Sequence, residues 1–101
     1  MCNYEMVGGK IVFLKDPAFT LYYEDQGGRR FIHCDATAFS KGILKRMAHA
    51  LCDLKEVSWD DGYHSLHCYT QNCKFVRMMG GAYLKSIECN NKVYEVYKWV
   101  T

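Results

Sequence analysis

Four residues of the kind that bind zinc lie close together in the second half of the chain: His64, His67, Cys68 and Cys73. Imidazole and thiolate groups are the usual ligands of structural zinc. The stretch that holds the first three is predicted to be a β-strand, in which successive side chains point to opposite faces. His64 and His67 then diverge, and so do His67 and Cys68. We therefore predict no metal site.

A second group of candidate functional residues lies near the end of the chain, where Tyr94, Tyr97 and Trp99 belong to the final predicted strand. Such residues either pack within a terminal hairpin or form a docking surface. Protein interfaces favour aromatic residues together with Met and Arg. Arg77, next to Met78, extends the series. These residues are candidates for binding a partner protein.

The first half of the chain is predicted to form three strands and a helix. Residues 10–14, 19–23 and 30–35 are rich in β-forming residues and are separated by turn signals. From Ser40 the apolar residues recur at three- and four-residue spacing, which is typical of an amphipathic helix. Ser40 is the expected N-cap, and the helix should end near Lys55, before a loop at residues 59–62.

The second half is predicted to contain a strand at residues 63–69, a short helix and two final strands. The short helix opens near Asn72, its expected N-cap, and closes at Gly80 and Gly81. A hairpin turn at Asn90 and Asn91 joins the last two strands. The predicted order is β-β-β-α-β-α-β-β, a mixed α/β (α+β) sheet in which strand 63–69 runs parallel to strand 30–35.

Length and composition narrow the class of protein. A chain of 101 residues, half of them hydrophobic, is expected to form a single domain over residues 1–101. No apolar run approaches the roughly 20 residues that cross a bilayer, and the first residues lack the pattern of a secretory signal. We expect a soluble protein of the cytoplasm with no membrane partner.

Charge and cysteine content bear on nucleic-acid binding and on disulfide bonds. The net charge of +2 comes from basic residues that are spread along the chain, so no specific nucleic-acid partner is expected. Six cysteines in a secreted chain would suggest a disulfide framework. Here several of them lie beside apolar neighbours, which is typical of buried thiols. We expect no disulfide bonds.

The order of elements, with a helix that enters through Asn72 and leaves through Gly80 and Gly81, resembles the C-terminal half of the GNAT family of N-acetyltransferases. In detail it is similar to the small GNAT-like proteins of short-tailed phages, which include internal virion proteins. The resemblance covers about residues 10 to 100. It implies a truncated GNAT-like sheet without the usual N-terminal helices on the acceptor side, and a place in the host cytoplasm or the virion.

The resemblance also implies where a coenzyme would bind. In active GNAT enzymes a glycine-rich loop and the helix N-terminus after it hold the coenzyme A pyrophosphate. The corresponding residues are Ser40, Lys41 and Gly42, with Lys45 or Arg46 adding charge, and Asn72 would contact the pantetheine arm. An ordinary capped helix with a solvated basic turn explains the same residues. Only one glycine is present, and Phe39 is bulky where the family loop is bare.

The resemblance further implies a general acid and a general base. The usual acid is a Tyr four residues before the closing glycine, but those positions hold Val76 and Arg77. The base would be a carboxylate at a strand end. Asp35 is the candidate that we would test, and Glu24 and Asp25 are further candidates. Their ordinary alternative role is in turns and in solvation of the strand ends.

Two functions follow. The first is a non-catalytic phage protein of GNAT-like fold that needs no cofactor and acts by contact with a host or phage protein. It would be a virion component or an inhibitor of a host protein. The second is a minimal N-acetyltransferase that uses acetyl-CoA to modify a docked host protein. The sequence favours the first function, and the oligomeric state and the identity of the partner stay open.

Overall fold

The computed structural model describes residues 6–7 and 9–101 of the chain, and it has a mixed α+β fold. Its elements in chain order are β1 (Met6–Val7), β2 (Lys10–Lys15), β3 (Phe19–Gln26), β4 (Arg29–Ala36), α1 (Lys41–Asp60), β5 (Ser65–Thr70), α2 (Cys73–Met78), β6 (Ala82–Cys89) and β7 (Lys92–Val100). From β2 onward this is the predicted order. The two-residue strand β1 precedes it.

The strands form one sheet in the order β1-β2-β3-β4-β5-β7-β6. Neighbouring strands are antiparallel except for β4 and β5, which are parallel. The helix α1 connects these two parallel strands, as predicted, because parallel neighbours need a long crossover connection. The final strand of the chain, β7, lies inside the sheet between β5 and β6.

Both helices described by the structure pack on one face of the sheet, which we call the helix face. Cross-strand pairs such as Leu21 with Cys34 and Tyr23 with Ile32 place their side chains on this face. The core cluster joins strand residues to helix residues: Phe19, Leu21, Tyr23, Ile32, Leu66, Tyr97 and Trp99 with Met47, Ala50, Leu51, Leu54 and Val76. The opposite face, which we call the second face, carries no helix among the described residues.

The start of α1 agrees with the prediction, and its end does not. The Ser40 hydroxyl accepts a hydrogen bond from the Ile43 N–H at 3.2 Å, so Ser40 is the N-cap. The helix continues past the predicted end at Lys55 and stops at Asp60, so the predicted loop at residues 59–62 is shorter. The physical reason is that Gly62, with φ 92°, is the first residue after the stripe that readily adopts a left-handed helix-ending conformation.

The end of α2 packs closely against the sheet. Gly80 has φ 88° and ends the helix, as predicted. A Cβ atom added at Gly81 would lie 2.7 Å from Val76 Cγ1 and 3.0 Å from Trp99 Cζ2. The second glycine is therefore required by packing. At the start of α2, Asn72 holds the N-cap position, but its side chain makes no capping hydrogen bond.

The hairpin turn predicted at Asn90 and Asn91 is present, and a second tight turn joins β3 to β4. Gly27 and Gly28 have positive φ angles between β3 and β4, and Asn90 and Asn91 have φ angles of 53° and 62° between β6 and β7. Two successive residues with positive φ are typical of the tight turns that match strand twist.

The five cysteines in the described chain are free thiols, and Cys2 lies outside the described residues. Neither α1 nor α2 combines the length and the apolar content that crossing a bilayer requires.

Candidate functional site

The sheet is split between its two parallel strands. β4 and β5 pair only where Arg30 lies opposite Leu66 and Phe31 lies opposite His67. Toward the carboxyl ends of both strands, no backbone pairing joins them within the described chain. Each strand keeps its other neighbour, β3 or β7. Open α/β sheets bind their ligands in crevices at the carboxyl ends of parallel strands, so this split is the candidate site.

A cavity of about 200 Å³ lies at the split. It is lined by residues 32–35 of β4, residues 68–70 of β5, Met47 and Leu51 of α1, Phe75, Val76 and Met79 of α2, and Lys10, Leu21 and Trp99. Because side chains alternate along a strand, the lining comes from both faces of the sheet. Cys34 and Cys68 contribute from the helix face, and His33 and Tyr69 from the second face. A ligand in the cavity would therefore contact both faces.

The two thiols that line the cavity are unreactive in this environment. Burial raises the pKa of Cys34 and of Cys68 to about 11. Nearby Asp35 also raises the pKa of Cys34, and Cys34 in turn raises that of Cys68. Because the thiolate is the nucleophile, neither cysteine is activated for attack at neutral pH. Their role at the split is to provide apolar lining.

A histidine and a carboxylate form a pair at the second-face mouth of the cavity. His33 Nε2 lies 2.8 Å from Glu24 Oε1, and both side chains are largely buried. Burial lowers the pKa of His33 and outweighs the opposing effect of Glu24, and Lys10 lowers it further. His33 is therefore neutral at pH 7 and can accept a proton.

The sequence contains a signal for this pair. The tight turn at Gly27 and Gly28 fixes the register of the hairpin, in which Glu24 lies opposite Phe31 and Tyr22 opposite His33. Glu24 and His33 are then diagonal neighbours on one face. Glu24 thus orients a histidine, and this differs from its expected role as a base candidate.

A tyrosine does line the cavity, but it comes from β5 and not from α2. Tyr69 lies edge-on to His33, with 5.6 Å between the ring centroids. Burial raises the pKa of Tyr69, so its phenol stays protonated and can donate a proton. The two α2 residues at the family position of the acid have other roles. Val76 is buried in the core, and Arg77 donates a hydrogen bond to Tyr97 Oη at 3.0 Å.

The other two base candidates, Asp35 and Asp25, lie in different places relative to the cavity. Asp35 is exposed and lines the cavity, so it is placed where a base would be needed. Asp25 accepts two hydrogen bonds from the Arg30 guanidinium, at 2.8 and 3.0 Å, away from the cavity. Asp35 and His33 are thus the two groups at the split that could accept a proton.

The predicted phosphate-binding residues lie together at the start of α1, and Ser40, Lys41, Gly42 and Lys45 are all exposed. The Ser40 hydroxyl is used to cap the helix. The guanidinium of Arg46 donates to both carboxylate oxygens of Asp16, at 2.8 and 2.9 Å. This pairing lowers the pKa of Asp16 to about 2. Arg46 is therefore neutralised by an ion pair within the chain, and of the predicted charges the two lysines make no ion pair with the described residues.

Phe39 connects the loop before α1 to α2. Its ring packs against Phe75, with 5.3 Å between the centroids, and it remains 57% exposed. Phe75 itself lines the cavity. The predicted coenzyme contact Asn72 follows the carboxyl end of β5, as the start of α1 follows that of β4. Both predicted coenzyme sites therefore lie at the same end of the split, with Phe39 between the loop and α2.

Two of the four predicted partner-binding residues belong to the core, which corrects the sequence prediction. Tyr97 is fully buried and Trp99 is 4% exposed, because β7 lies inside the sheet and its helix-face residues join the core cluster around Val76. Tyr94 is half-buried on the second face, where its ring contacts Tyr69. Arg77 is exposed.

The cluster considered for zinc is dispersed in the structure. The rings of His64 and Trp59 pack edge to face, with 4.4 Å between their centroids. The ring of His67 packs against that of Phe31, with 5.8 Å between their centroids. Cys68 points to the helix face. Among the described residues, no three His, Cys, Asp or Glu side chains converge on a metal position.

The chain was compared with protein-family models, with curated proteins and with solved structures, and none of the three comparisons finds a match.

Proposed function

We propose that this chain is a GNAT-like protein of a short-tailed phage that acts by contact with a host or phage protein, without catalysis. The observation that carries the proposal is a group of exposed apolar side chains at the end of α2 and on the edge strand β6 that follows it. Met78 is 59% exposed, Tyr83 53% and Leu84 47%, and they lie within seven consecutive residues. Clustered exposed apolar residues mark protein interaction sites.

The contacts made by residues at the start of α1 support the same proposal. Two groups that would serve a coenzyme pyrophosphate are engaged within the protein, the Ser40 hydroxyl with Ile43 and the Arg46 guanidinium with Asp16. The bulky Phe39 of the same loop packs against Phe75. A protein that binds coenzyme A would have to displace or forgo these contacts. In this proposal the protein works in the host cytoplasm or within the virion.

The outer edge of the sheet, strand β6, can contact a protein partner. Its features also disfavour nonspecific pairing with the edge strand of another molecule. β6 pairs only with β7 in the described sheet, so its outer backbone groups are free to meet a partner. A register shift between Tyr83 and Lys85 distorts this strand, and Lys85 and Glu88 place charges on it. Bulges and charges of this kind prevent edge-to-edge aggregation. Contact through the side chains Met78, Tyr83 and Leu84 remains open.

A photocrosslinking amino acid placed at Tyr83 tests the proposal in phage-infected cells. We expect one discrete adduct with a phage or host protein. A matched probe at Asp53, exposed on α1, should give none. The absence of adducts at position 83, or the same adducts at both positions, would contradict contact through this edge.

A second candidate function is favoured by the split between β4 and β5. We infer that, if the chain is an enzyme, acetyl-CoA enters at the carboxyl ends of these strands and its acyl end occupies the cavity. The acceptor amine of a docked protein attacks the thioester carbonyl while Asp35 or His33 accepts its proton. Tyr69 then donates a proton to the departing thiolate. Incubation with acetyl-CoA and an infected-cell extract tests this, because the double variant His33→Gln with Asp35→Asn should abolish acetylation.

A further inference from the structure

A groove of about 350 Å³ lies between the N-terminal half of α1 and the end of α2. Its lining residues are Lys41, Leu44, Lys45 and Ala48 from α1, and Met78 and Met79 from α2. Leu44 and Met79 are half-buried and form an apolar floor, whereas both lysines are exposed. The groove therefore combines an apolar floor with a basic rim, and it is continuous with the exposed Met78.

The charges of α1 are arranged against the dipole of the helix. Its first turn carries no acidic residue and its last turn no basic residue. Lys41 lies in the first turn, where the helix dipole is itself positive, and Lys45 lies one turn further along; the first carboxylate along the helix is Asp53. Cations at a helix N-terminus destabilise it. Because Arg46 is neutralised by Asp16, the unbalanced positive charge is that of the two lysines on the groove.

Gly42 is a second feature that the fold alone does not require. A Cβ atom added there would meet nothing closer than Ser40 Oγ at 4.0 Å, and its φ is not positive. A glycine within a helix is less favourable than alanine. Gly42 follows Lys41 in the chain but is not among the residues that line the groove.

We propose that this groove binds an acidic segment of the partner protein. Carboxylates of that segment would face Lys41 and Lys45, and an apolar side chain would pack against Met78. Charge complementarity selects an acidic occupant, and methionine adapts to the shape of an apolar one. The proposal rests on the proposed function of protein contact, and it adds the chemistry of the partner.

The test uses the whole protein and a short amphipathic peptide of Glu and Leu, with a matched peptide in which Lys replaces each Glu. We expect the acidic peptide to shift the backbone NMR signals of residues 41–48 and of Met78, and the basic peptide to shift neither. The double variant Lys41→Glu with Lys45→Glu should bind the acidic peptide at least about tenfold more weakly. The control Arg29→Glu with Lys92→Glu carries the same change of charge at exposed positions that do not line the groove, and it should bind normally.

Several results would overturn the groove proposal. These are equal binding of both peptides, equal loss in both double variants, or shifts that avoid the groove. Shifts of residues 41–48 by inorganic pyrophosphate but not by the acidic peptide would also overturn it, and would favour a coenzyme phosphate. Titration with acetyl-CoA in the same buffer distinguishes a failure of the groove proposal from a failure of the proposed function. If neither ligand binds, only the groove proposal fails, whereas micromolar acetyl-CoA binding contradicts the proposed function itself.

Discussion

Arg30 Nη1 donates a hydrogen bond to Asp61 Oδ2 at 2.9 Å, and this contact ties the start of β4 to the end of α1. The Arg30 side chain is 4% exposed and lies between the rings of Tyr23 and Tyr63, at 4.2 and 4.5 Å from their centroids. Asp25 binds the same guanidinium through both of its oxygens. Burial lowers the pKa of Arg30, but the hydrogen bonds to these carboxylates together outweigh burial and raise the pKa above its ordinary value. The start of β4 is thus held to the end of α1, whereas β4 and β5 are unpaired with each other toward their carboxyl ends.

Removal of Arg30 should therefore destabilise the protein. We expect Arg30→Leu to lower the free energy of unfolding by about 3 kcal/mol, since the loss of one member of a buried ion pair typically costs 3–5 kcal/mol. The partly exposed Asp25 and Asp61 can regain water, which places the value at the low end. Urea unfolding measures it. The neighbouring exposed Arg29→Leu is the control, and equal effects of the two variants would show that the buried network contributes nothing.

The inner stripe of α1 gives a second prediction. Leu54 is fully buried, so Leu54→Ala should destabilise by roughly 2–5 kcal/mol. Leu51→Ala should cost less within that range, because Leu51 already borders the cavity and has fewer packing partners to lose. Thermal and chemical unfolding report the order. A larger effect at Leu51 than at Leu54 would mean that the cavity is filled in solution.

The glycines at the two helices should respond in opposite ways to alanine. Gly81→Ala would place a Cβ within 2.7 Å of Val76 Cγ1, so we expect a destabilisation of about 1–3 kcal/mol. Gly42→Ala meets no close atom and should be neutral or stabilising by up to roughly 1 kcal/mol. Melting temperatures of the two variants test this. A destabilised Gly42→Ala protein would contradict the description of the α1 start.

Acid should weaken the fold through its two buried imidazoles. Burial lowers the pKa of His67, followed by the charges of Arg29 and Lys98, and burial also lowers that of His33. His67 Nδ1 has no hydrogen-bond partner in the described structure. Because both folded pKa values lie below the unfolded value, the unfolded state takes up protons first. The two histidines therefore do not reduce the free energy of unfolding above the unfolded pKa of about 6.5. Below that pH, the free energy of unfolding falls as the pH drops.

The variant His67→Phe isolates the contribution of this histidine. It should lose less stability between pH 7 and pH 5 than the wild type loses. A phenyl ring suits the site beside Phe31 and cannot be protonated. Urea unfolding at the two pH values provides the measurement, and an unchanged loss would assign the acid sensitivity to other groups.

The fold was largely predictable because local signals agreed with one another. The stripe of Met47, Leu51 and Leu54 indicated the inner face of α1, and a long helix between two strands favours a parallel pair. Gly80 and the Asn90–Asn91 turn marked boundaries through positive φ angles. The end of α1 was missed because Val57 and Ser58 continue the stripe up to Gly62.

The site was less predictable because it depends on strand order. Nothing local to Tyr97 and Trp99 shows that β7 lies between β5 and β6, where these residues become core. The split between β4 and β5 is likewise a property of the whole sheet. The pair His33 and Glu24 was within reach, since it follows from the register of a single hairpin.

Calorimetric titration of the whole protein with acetyl-CoA tests the central proposal, non-catalytic action by protein contact, most directly. Because Ser40, Phe39 and Arg46 are engaged within the chain, we expect no saturable heat below millimolar ligand and no rise in melting temperature. A ligand at about 100 times its dissociation constant would stabilise the fold by about 2.7 kcal/mol. One site of micromolar affinity, lost in Gly42→Pro, would contradict the proposal and establish the α1 start as a coenzyme site.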